Sequence, residues 1–493
     1  MMLIFLIFSC TEPKETISLP NLPDLPKRVQ AKEQIRGAET TTREAVITLV
    51  GEVRGEIEPC GCPTLPYGGF SRRSQFMETL PDQLPHFHLD AGELLLKGFS
   101  GIDRDTSKTR AQLMLDLSHD VGLDVLSVGP TDISTLGIEE LQQYDKFPII
   151  SASYQNKDGT QLFPPIAIIE KKGFRLGVIG LGTLITDPQY RDTIRYVPPQ
   201  KAIADSLKRF PSDLDLIVTL GSIDDEEAHL LAQEDLGVAA MLTTRGAALE
   251  DPQNNQKTKT LIIETPERGR YVQTIYLHLN TLPQSKLHVS ELEQPWRDQI
   301  MGQKNPSSKQ KIIEEGKGLN LAYIELNPLN ESYDPPSQTN TDVMLDQFKK
   351  ERLEEAAKTA TEPITNDEVG YASSGACSTC HSKEFAKWVF TDHANAWQSL
   401  IIRNSQDNPE CIQCHTTGFG EVGGLGELTD SNIRRLKSVQ CESCHGPLKG
   451  HPDAEHVQAK PITPKTCLPC HDEANSPEFD FGTYLSKSTC QMD

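Results

Sequence analysis

Eight of the chain's 12 cysteines fall into four C-x-x-C-H units near its C-terminal end: Cys377-Ser-Thr-Cys380-His381, Cys411-Ile-Gln-Cys414-His415, Cys441-Glu-Ser-Cys444-His445 and Cys467-Leu-Pro-Cys470-His471. This spacing restricts the fold more than any other feature. The two thiols of a unit can add to the two vinyl groups of a haem, and the His that follows then lies under the iron as proximal ligand. Zinc also takes C-x-x-C pairs, but it needs only four ligands and gives no reason for a His after every second cysteine. A disulfide framework has the same weakness. The spacing predicts four covalently attached haem c groups.

The host segment, residues 366–493, agrees with this. Apart from one helical stretch, Lys383 to Leu400, it has little sustained periodicity and is rich in Gly and Pro loops, such as Gly418 to Gly426. A segment of this kind cannot bury enough side-chain surface alone, so four porphyrins are expected to supply the missing core. Outside the attachment units it offers three histidines as sixth ligands, His393, His451 and His456, and one methionine, Met492. Three free His for four irons predict one haem with an open or different sixth position. The run Trp388-Val-Phe-Thr-Asp-His393-Ala-Asn-Ala-Trp397, then Cys414-His415-Thr-Thr-Gly418-Phe419, then Cys444-His445-Gly446-Pro447 with His451 following, resembles the tetrahaem cytochrome c-554 family. The resemblance implies closely packed haem pairs, electron transfer, and His393 and His451 as distal ligands. That family includes electron carriers and relatives with small nitrogen-compound chemistry.

At 493 residues the chain is expected to hold two or more domains. Its formal net charge of -22 argues against a nucleic-acid partner and suits a redox partner with a basic docking face. No apolar stretch is long enough to span a bilayer. Residues 1–10 read as a lipoprotein signal: Leu3 to Phe8 followed by Ser9-Cys10 resembles a bacterial lipobox, which implies cleavage before Cys10 and lipidation of that residue. Haem c is attached outside the cytoplasm, so the chain is expected on the periplasmic side of a bacterial membrane. Thr11-Glu12 lack the Asp that commonly retains lipoproteins at the inner membrane, which favours the outer one. Residues 11–43 read as a tether punctuated by Pro13, Pro20, Pro23 and Pro26.

Residues 44–285 alternate strand and helix patterns and predict an α/β domain with mostly parallel strands. The predicted strands are Ala45 to Val53, His86 to Leu89, Asp124 to Val128, Phe147 to Ala152, Arg175 to Gly180 and Leu214 to Leu220; Lys108 to Val121 and Pro199 to Phe210 read as helices. The landmarks Gly68-Gly69-Phe70-Ser-Arg-Arg73, Asp90-Ala-Gly92-Glu93 and Val128-Gly129-Pro-Thr-Asp132 resemble the metallophosphoesterase domain of periplasmic 5′-nucleotidases. The fold this implies is a metallophosphoesterase-like sandwich, joined here to a small, mainly α and irregular tetrahaem domain. The activity does not carry over. The family's Asp-x-His reads Glu52-Val-Arg54, its Asp-Ala-Gly-Asp ends in Glu93, and its Gly-Asn-His-Glu reads Gly129-Pro130-Thr131-Asp132. Two-metal hydrolysis needs a full set of carboxylate and imidazole ligands, and too few remain. Glu52, Asp90 and Glu93 could hold at most one cation. His86 and His88 are expected to be ordinary packing residues. Residues 286–365 read as a connector, with a returning strand at Leu321 to Leu326 and an amphipathic helix from Val343 to Ala356.

Glu58-Pro59-Cys60-Gly61-Cys62-Pro63 follows the first strand, at the edge where α/β sheets place their sites. Cys60 and Cys62 are too close for a relaxed disulfide. A redox-active thiol pair, a structural disulfide and a soft-metal site all remain open for them. With Cys10 and the haem cysteines assigned, Cys60, Cys62 and Cys490 are left. For the whole chain the reading is electron transfer with a degenerate nucleotidase-like domain. The alternatives are reduction of a small substrate at an open haem and residual phosphohydrolysis.

Overall fold

The computed structural model describes residues 43–59, 66–95, 104–245, 258–266, 268–279, 287–289, 320–363, 370–454, 456–471, 475–476 and 478–488. Two large sheets organise the first part. The strands are β1 (Arg43–Val50), β2 (His86–Asp90), β3 (Val125–Ser127), β4 (Ile149–Ile150), β5 (Tyr154–Gln155), β6 (Ile166–Lys171), β7 (Phe174–Leu181), β8 (Arg195–Tyr196), β9 (Leu216–Gly221), β10 (Ala240–Arg245), β11 (Leu261–Pro266), β12 (Tyr271–Leu279), β13 (Leu287–Val289) and β14 (Asn320–Pro328). One sheet runs β13-β14-β12-β1-β2-β3-β4 and the other β11-β10-β9-β7-β6. Seven of the ten neighbour pairs in them are parallel, as the alternating pattern predicts.

The period-2 alternation of β1 explains how the sheets stack. Ala45, Ile47 and Leu49 face the space between the sheets, where they meet Leu176, Val178, Val218 and Leu242. The outer face of the longer sheet is covered by α1 (Phe70–Met77), α2 (Arg104–Asp120) and α3 (Pro130–Leu136), through Phe70, Met114, Leu115 and Ile133 packed on Leu126 and Ile149. The outer face of the second sheet is covered by Ala202, Ile203, Ala228 and Leu231, from the helices Pro199–Leu207 and Asp225–Ala232. The result is a four-layer α/β/β/α sandwich. The predicted strands all form. The returning strand is β14, paired antiparallel with β12 from Tyr271↔Pro328 to His278↔Leu321.

The predicted connector helix is longer than its apolar pattern, Asn340–Ala360, and Thr339 caps it by accepting from the Asp342 amide. We number it α4. Its N-terminal half inserts Leu345 and Phe348 among the apolar side chains of α2 and α3. Its C-terminal half lies on the haem-motif region. A Cβ on Gly426 would come within 2.6 Å of the Ala360 Cβ, so this approach needs glycine. That region has one small apolar cluster, built on Tyr371, Trp397, Leu400, Ile412, Leu425 and Leu436. The stretch predicted as one helix from Lys383 to Leu400 is two, Ser382–Trp388 and Ala396–Ile402. Side chains divert the backbone between them: the Thr391 hydroxyl donates to the Trp388 carbonyl, and Asn395 Nδ2 to the Thr391 carbonyl.

Because α4 touches both parts, losing its largest anchor should loosen the whole chain. Phe348→Ala is expected to cost about 3–5 kcal/mol, the range for truncating a buried Phe, measured by guanidinium unfolding of the purified protein. A loss below about 1 kcal/mol would show that this helix is not a clamp.

Candidate functional site

Each attachment unit is folded as a helical turn. His381 N donates to the Cys377 carbonyl and His471 N to the Cys467 carbonyl, both at 2.9 Å. The second and third units lie in the helices Pro409–His415 and Cys441–His445. In such a turn the two cysteines and the His occupy positions i, i+3 and i+4 of one face, so a single flat ligand can meet all three. The units also come together in pairs. The Cys377 thiol hydrogen-bonds to the Cys441 thiol, which is the first cause holding it down to about 7, with burial opposing. The Cys414 thiol donates to the Pro469 carbonyl at 3.9 Å. The first unit therefore neighbours the third, and the second neighbours the fourth.

The donor chemistry fits haem iron. The carbonyl oxygens beside several imidazoles require Nδ1 to carry the proton, which leaves the Nε2 lone pair for a metal. His415 Nδ1 donates to the Ala396 carbonyl at 2.8 Å, His445 Nδ1 to the Lys460 carbonyl at 3.4 Å and His451 Nδ1 to the Val457 carbonyl at 3.2 Å. His471 Nδ1 lies 2.8 Å from the Ser476 hydroxyl. His393 faces His471 with ring centroids 6.1 Å apart. Two imidazoles on opposite sides of one metal, each bonded at roughly 2 Å, have that separation. Burial first, and then His471, push the His393 pKa down, which keeps it the neutral ligand that a metal needs. A main-chain bond from Val439 N to the His393 carbonyl holds this position against the third unit. His456 is exposed. Apolar side chains around the units are left uncovered by protein, Phe390 at 89% and Ile402 at 78% exposure, on a surface suited to porphyrin. Cys10, Cys60 and Cys62 lie outside the described residues.

At the C-terminal edge of β1 and β2, the nucleotidase-like carboxylates are occupied by protein donors. Glu52 accepts from the Thr244 hydroxyl and pairs with Arg54, both at 3.1 Å. Asp132 accepts four main-chain N–H bonds, from Gly129, Glu93, Leu94 and Leu95. The Glu93 carboxylate is held by the Thr131 amide and hydroxyl. Asp90 accepts from Gly92 N at 2.9 Å and is pushed up to about 7 by burial, with the Arg73 charge opposing. Among the described residues, no three His, Cys, Asp or Glu side chains converge as a metal site. The expectation that Glu52, Asp90 and Glu93 might share a cation thus finds no support. Glu52, Arg54 and Glu93 nevertheless sit at φ 46°, 51° and 56°, the left-handed region that non-glycine residues avoid. Main-chain bonds from Glu52 to Gly92 and from Arg54 to Glu93 hold them there. His88 is buried, with Nδ1 2.8 Å from the Thr48 hydroxyl, and burial pushes it down to about 3, so it is the packing residue expected.

Comparison with known proteins divides the chain in the same place. Residues 376–446 match the family model described as "Cytochrome c554 and c-prime". Cytochrome c-554 of Nitrosomonas europaea is 34% identical over 86 residues, covering 14% of this chain and 36% of that protein. A 5′-nucleotidase of Vibrio parahaemolyticus is 25% identical over 251 residues, covering 41% of this chain and 43% of that protein. The chain thus spans less than half the length of either curated relative. A 5′-nucleotidase precursor from Thermus thermophilus superposes with a TM-score of 0.45 at 16% identity, covering 73% of this chain and 68% of that one. The C-terminal region is thus similar to cytochrome c-554, whose family implies covalently bound haem c. The N-terminal region is similar to 5′-nucleotidases.

Two outcomes follow. His393→Ala should convert one haem from low to high spin, seen by EPR of the oxidised protein; an unchanged spectrum would remove His393 from the ligand set. Added Mn²⁺, Mg²⁺ or Zn²⁺ should give no nucleoside monophosphate hydrolysis above background, and robust hydrolysis abolished by Asp90→Ala would overturn that expectation.

Proposed function

We propose that this chain is an exported tetrahaem c-type cytochrome that passes electrons, and that its nucleotidase-like sandwich is a scaffold without hydrolytic activity. The observation that carries this reading is the His393–His471 pair, set at the spacing of two axial ligands beside a C-x-x-C-H unit. The paired units favour closely packed haems, and close packing is what electron hopping needs. The acidic chain suits a partner with a basic docking face. Lipidation at Cys10 would tether it to a membrane surface, with the outer membrane favoured. One acyl chain binds only marginally, so the multiple acylation usual for such a cysteine is assumed.

A thiol redox site at Cys60 and Cys62 belongs to the same proposal. Glu58, two residues upstream, accepts from Asn408 Nδ2 and from Lys349 Nζ at 2.5 Å. Asn408 caps the helix that carries Cys411, Cys414 and His415. In sequence, Cys60 and Cys62 follow Glu58 by two and four residues. The second reading, reduction of a small molecule at an open iron, rests on the count of three non-motif histidines within residues 366–493 for four irons.

Iron analysis of purified protein should give four per chain, and the haem should resist acid-acetone extraction; extractable haem, or zinc in its place, would end the reading. Mass spectrometry of the same sample should find Cys10 acylated at the new N-terminus, and an unmodified Cys10 with its upstream residues attached would refute the anchor. Thiol labelling across potential tests the pair. If Cys60 and Cys62 stay unlabelled under mild reductant and Cys60→Ser leaves haem reduction kinetics unchanged, they are not a redox site.

A further inference from the structure

We infer that Arg110, a residue of the sandwich, sets the electrostatic environment of the second attachment unit and thereby the potential of the haem it carries. The inference rests on the haem reading of Cys411, Cys414 and His415. Arg110 projects from α2 and is buried, 7% exposed. Its guanidinium is fully used: Nε and Nη2 donate to the Gly55 carbonyl, the first at 2.8 Å, and Nη1 pairs with the Glu410 carboxylate. Glu410 immediately precedes Cys411, in the first turn of the helix that ends at His415. The same junction holds Glu58, bonded to Asn408 and Lys349.

Glu56, Glu58 and Arg352 act on Arg110, Glu410 pairs with it, and Lys349, which pairs with Glu58, also faces Asp346 and Asp407. With Arg110 and Glu410 both largely withdrawn from water, their charges are weakly screened and act over a longer range than surface ions. Removing the guanidinium makes the surroundings of the second unit more negative by one charge. Added negative charge stabilises ferric over ferrous iron, so the potential of that haem falls. Removing the Glu410 charge makes the same surroundings more positive by one charge, and the potential of the same haem rises. The first and third units are fastened differently, by bonds within the haem region: Ala372 N and Ser373 N donate to the Glu442 carboxylate, and Ser374 N to Gln440 Oε1. Arg110 is therefore expected to move one potential and not all four.

The test is a spectroelectrochemical titration of the full haem-loaded chain as wild type, Arg110→Met, Arg110→Lys and Glu410→Gln. The Met variant should lower one reduction step and leave the others in place. The Lys variant, which keeps the charge but not the fork geometry, should leave that step close to its wild-type position. Glu410→Gln should raise the same step. Unchanged steps, a common shift of every step, or a Lys variant that behaves as Met would overturn the inference. If Arg110→Met does not fold, Glu410→Gln decides: a single upward step supports the inference and an unmoved titration overturns it. A chain that contains no covalent haem gives no reduction steps at all, which would refute the haem reading instead.

Discussion

The C-terminal region depends on one geometric constraint, that a C-x-x-C-H unit wound as a helical turn sets two thiols and an imidazole on one face. Everything else there is arranged around those faces. The region's own apolar cluster is small, and large apolar side chains such as Phe390 and Ile402 are left exposed. Polar bonds take over much of the positioning that a core would do. Trp388 Nε1 donates to the Val439 carbonyl, the Glu442 carboxylate collects main-chain donors from the segment before Cys377, and Gln440 binds the Ser374 amide. These contacts hold one unit against another across long sequence separations. They set the attachment units against one another by hydrogen bonds where the apolar cluster is too small to do so.

The sandwich shows the complementary case, a sheet edge whose strained backbone is held by its own main-chain bonds. Strained φ angles at Glu52, Arg54 and Glu93 persist, because main-chain bonds between the segments after β1 and β2 over-determine them. The carboxylates that remain have been taken up by internal donors. Arg54 supplies a charge to Glu52 where the resembled family has an imidazole, and Gly129 with the segment Glu93 to Leu95 gives Asp132 its amides.

Most of the fold was legible in the sequence because its signals are local. The β-branched run of β1 and the alternation across β2, β7 and β9 report burial directly, and the C-x-x-C-H spacing is chemistry written in consecutive residues. What escaped has a non-local cause. β6 pairs antiparallel with β7 through Lys172 and Gly173, both at positive φ; the Lys in that turn is not a residue that announces a hairpin. β10 and β11 lie where composition alone does not distinguish buried strand from loop. The break between the two helices around His393 comes from Thr391 and Asn395 hydrogen-bonding to the backbone, and from Val439 holding the His393 carbonyl. Its geometry needs the third attachment unit in place. The His393–His471 match was beyond reach for the same reason: the sequence names both histidines but nothing in their spacing pairs them.

The junction between the two parts follows from these two halves. A haem-motif region with only a small core of its own needs a rigid surface to rest on, and the sandwich provides one. The contacts used are polar and partly buried, Arg110 with Glu410 and Glu58 with Asn408 and Lys349, while α4 adds the apolar part through Phe348 on one side and Leu353 on the other. Buried ion pairs contribute little net stability, since desolvation offsets most of their attraction, but they penalise any misaligned docking heavily. The apolar helix supplies the adhesion and the charges supply the register. That division of labour fixes the second attachment unit beside the loop that follows β1, at the C-terminal edge of the sandwich's longer sheet.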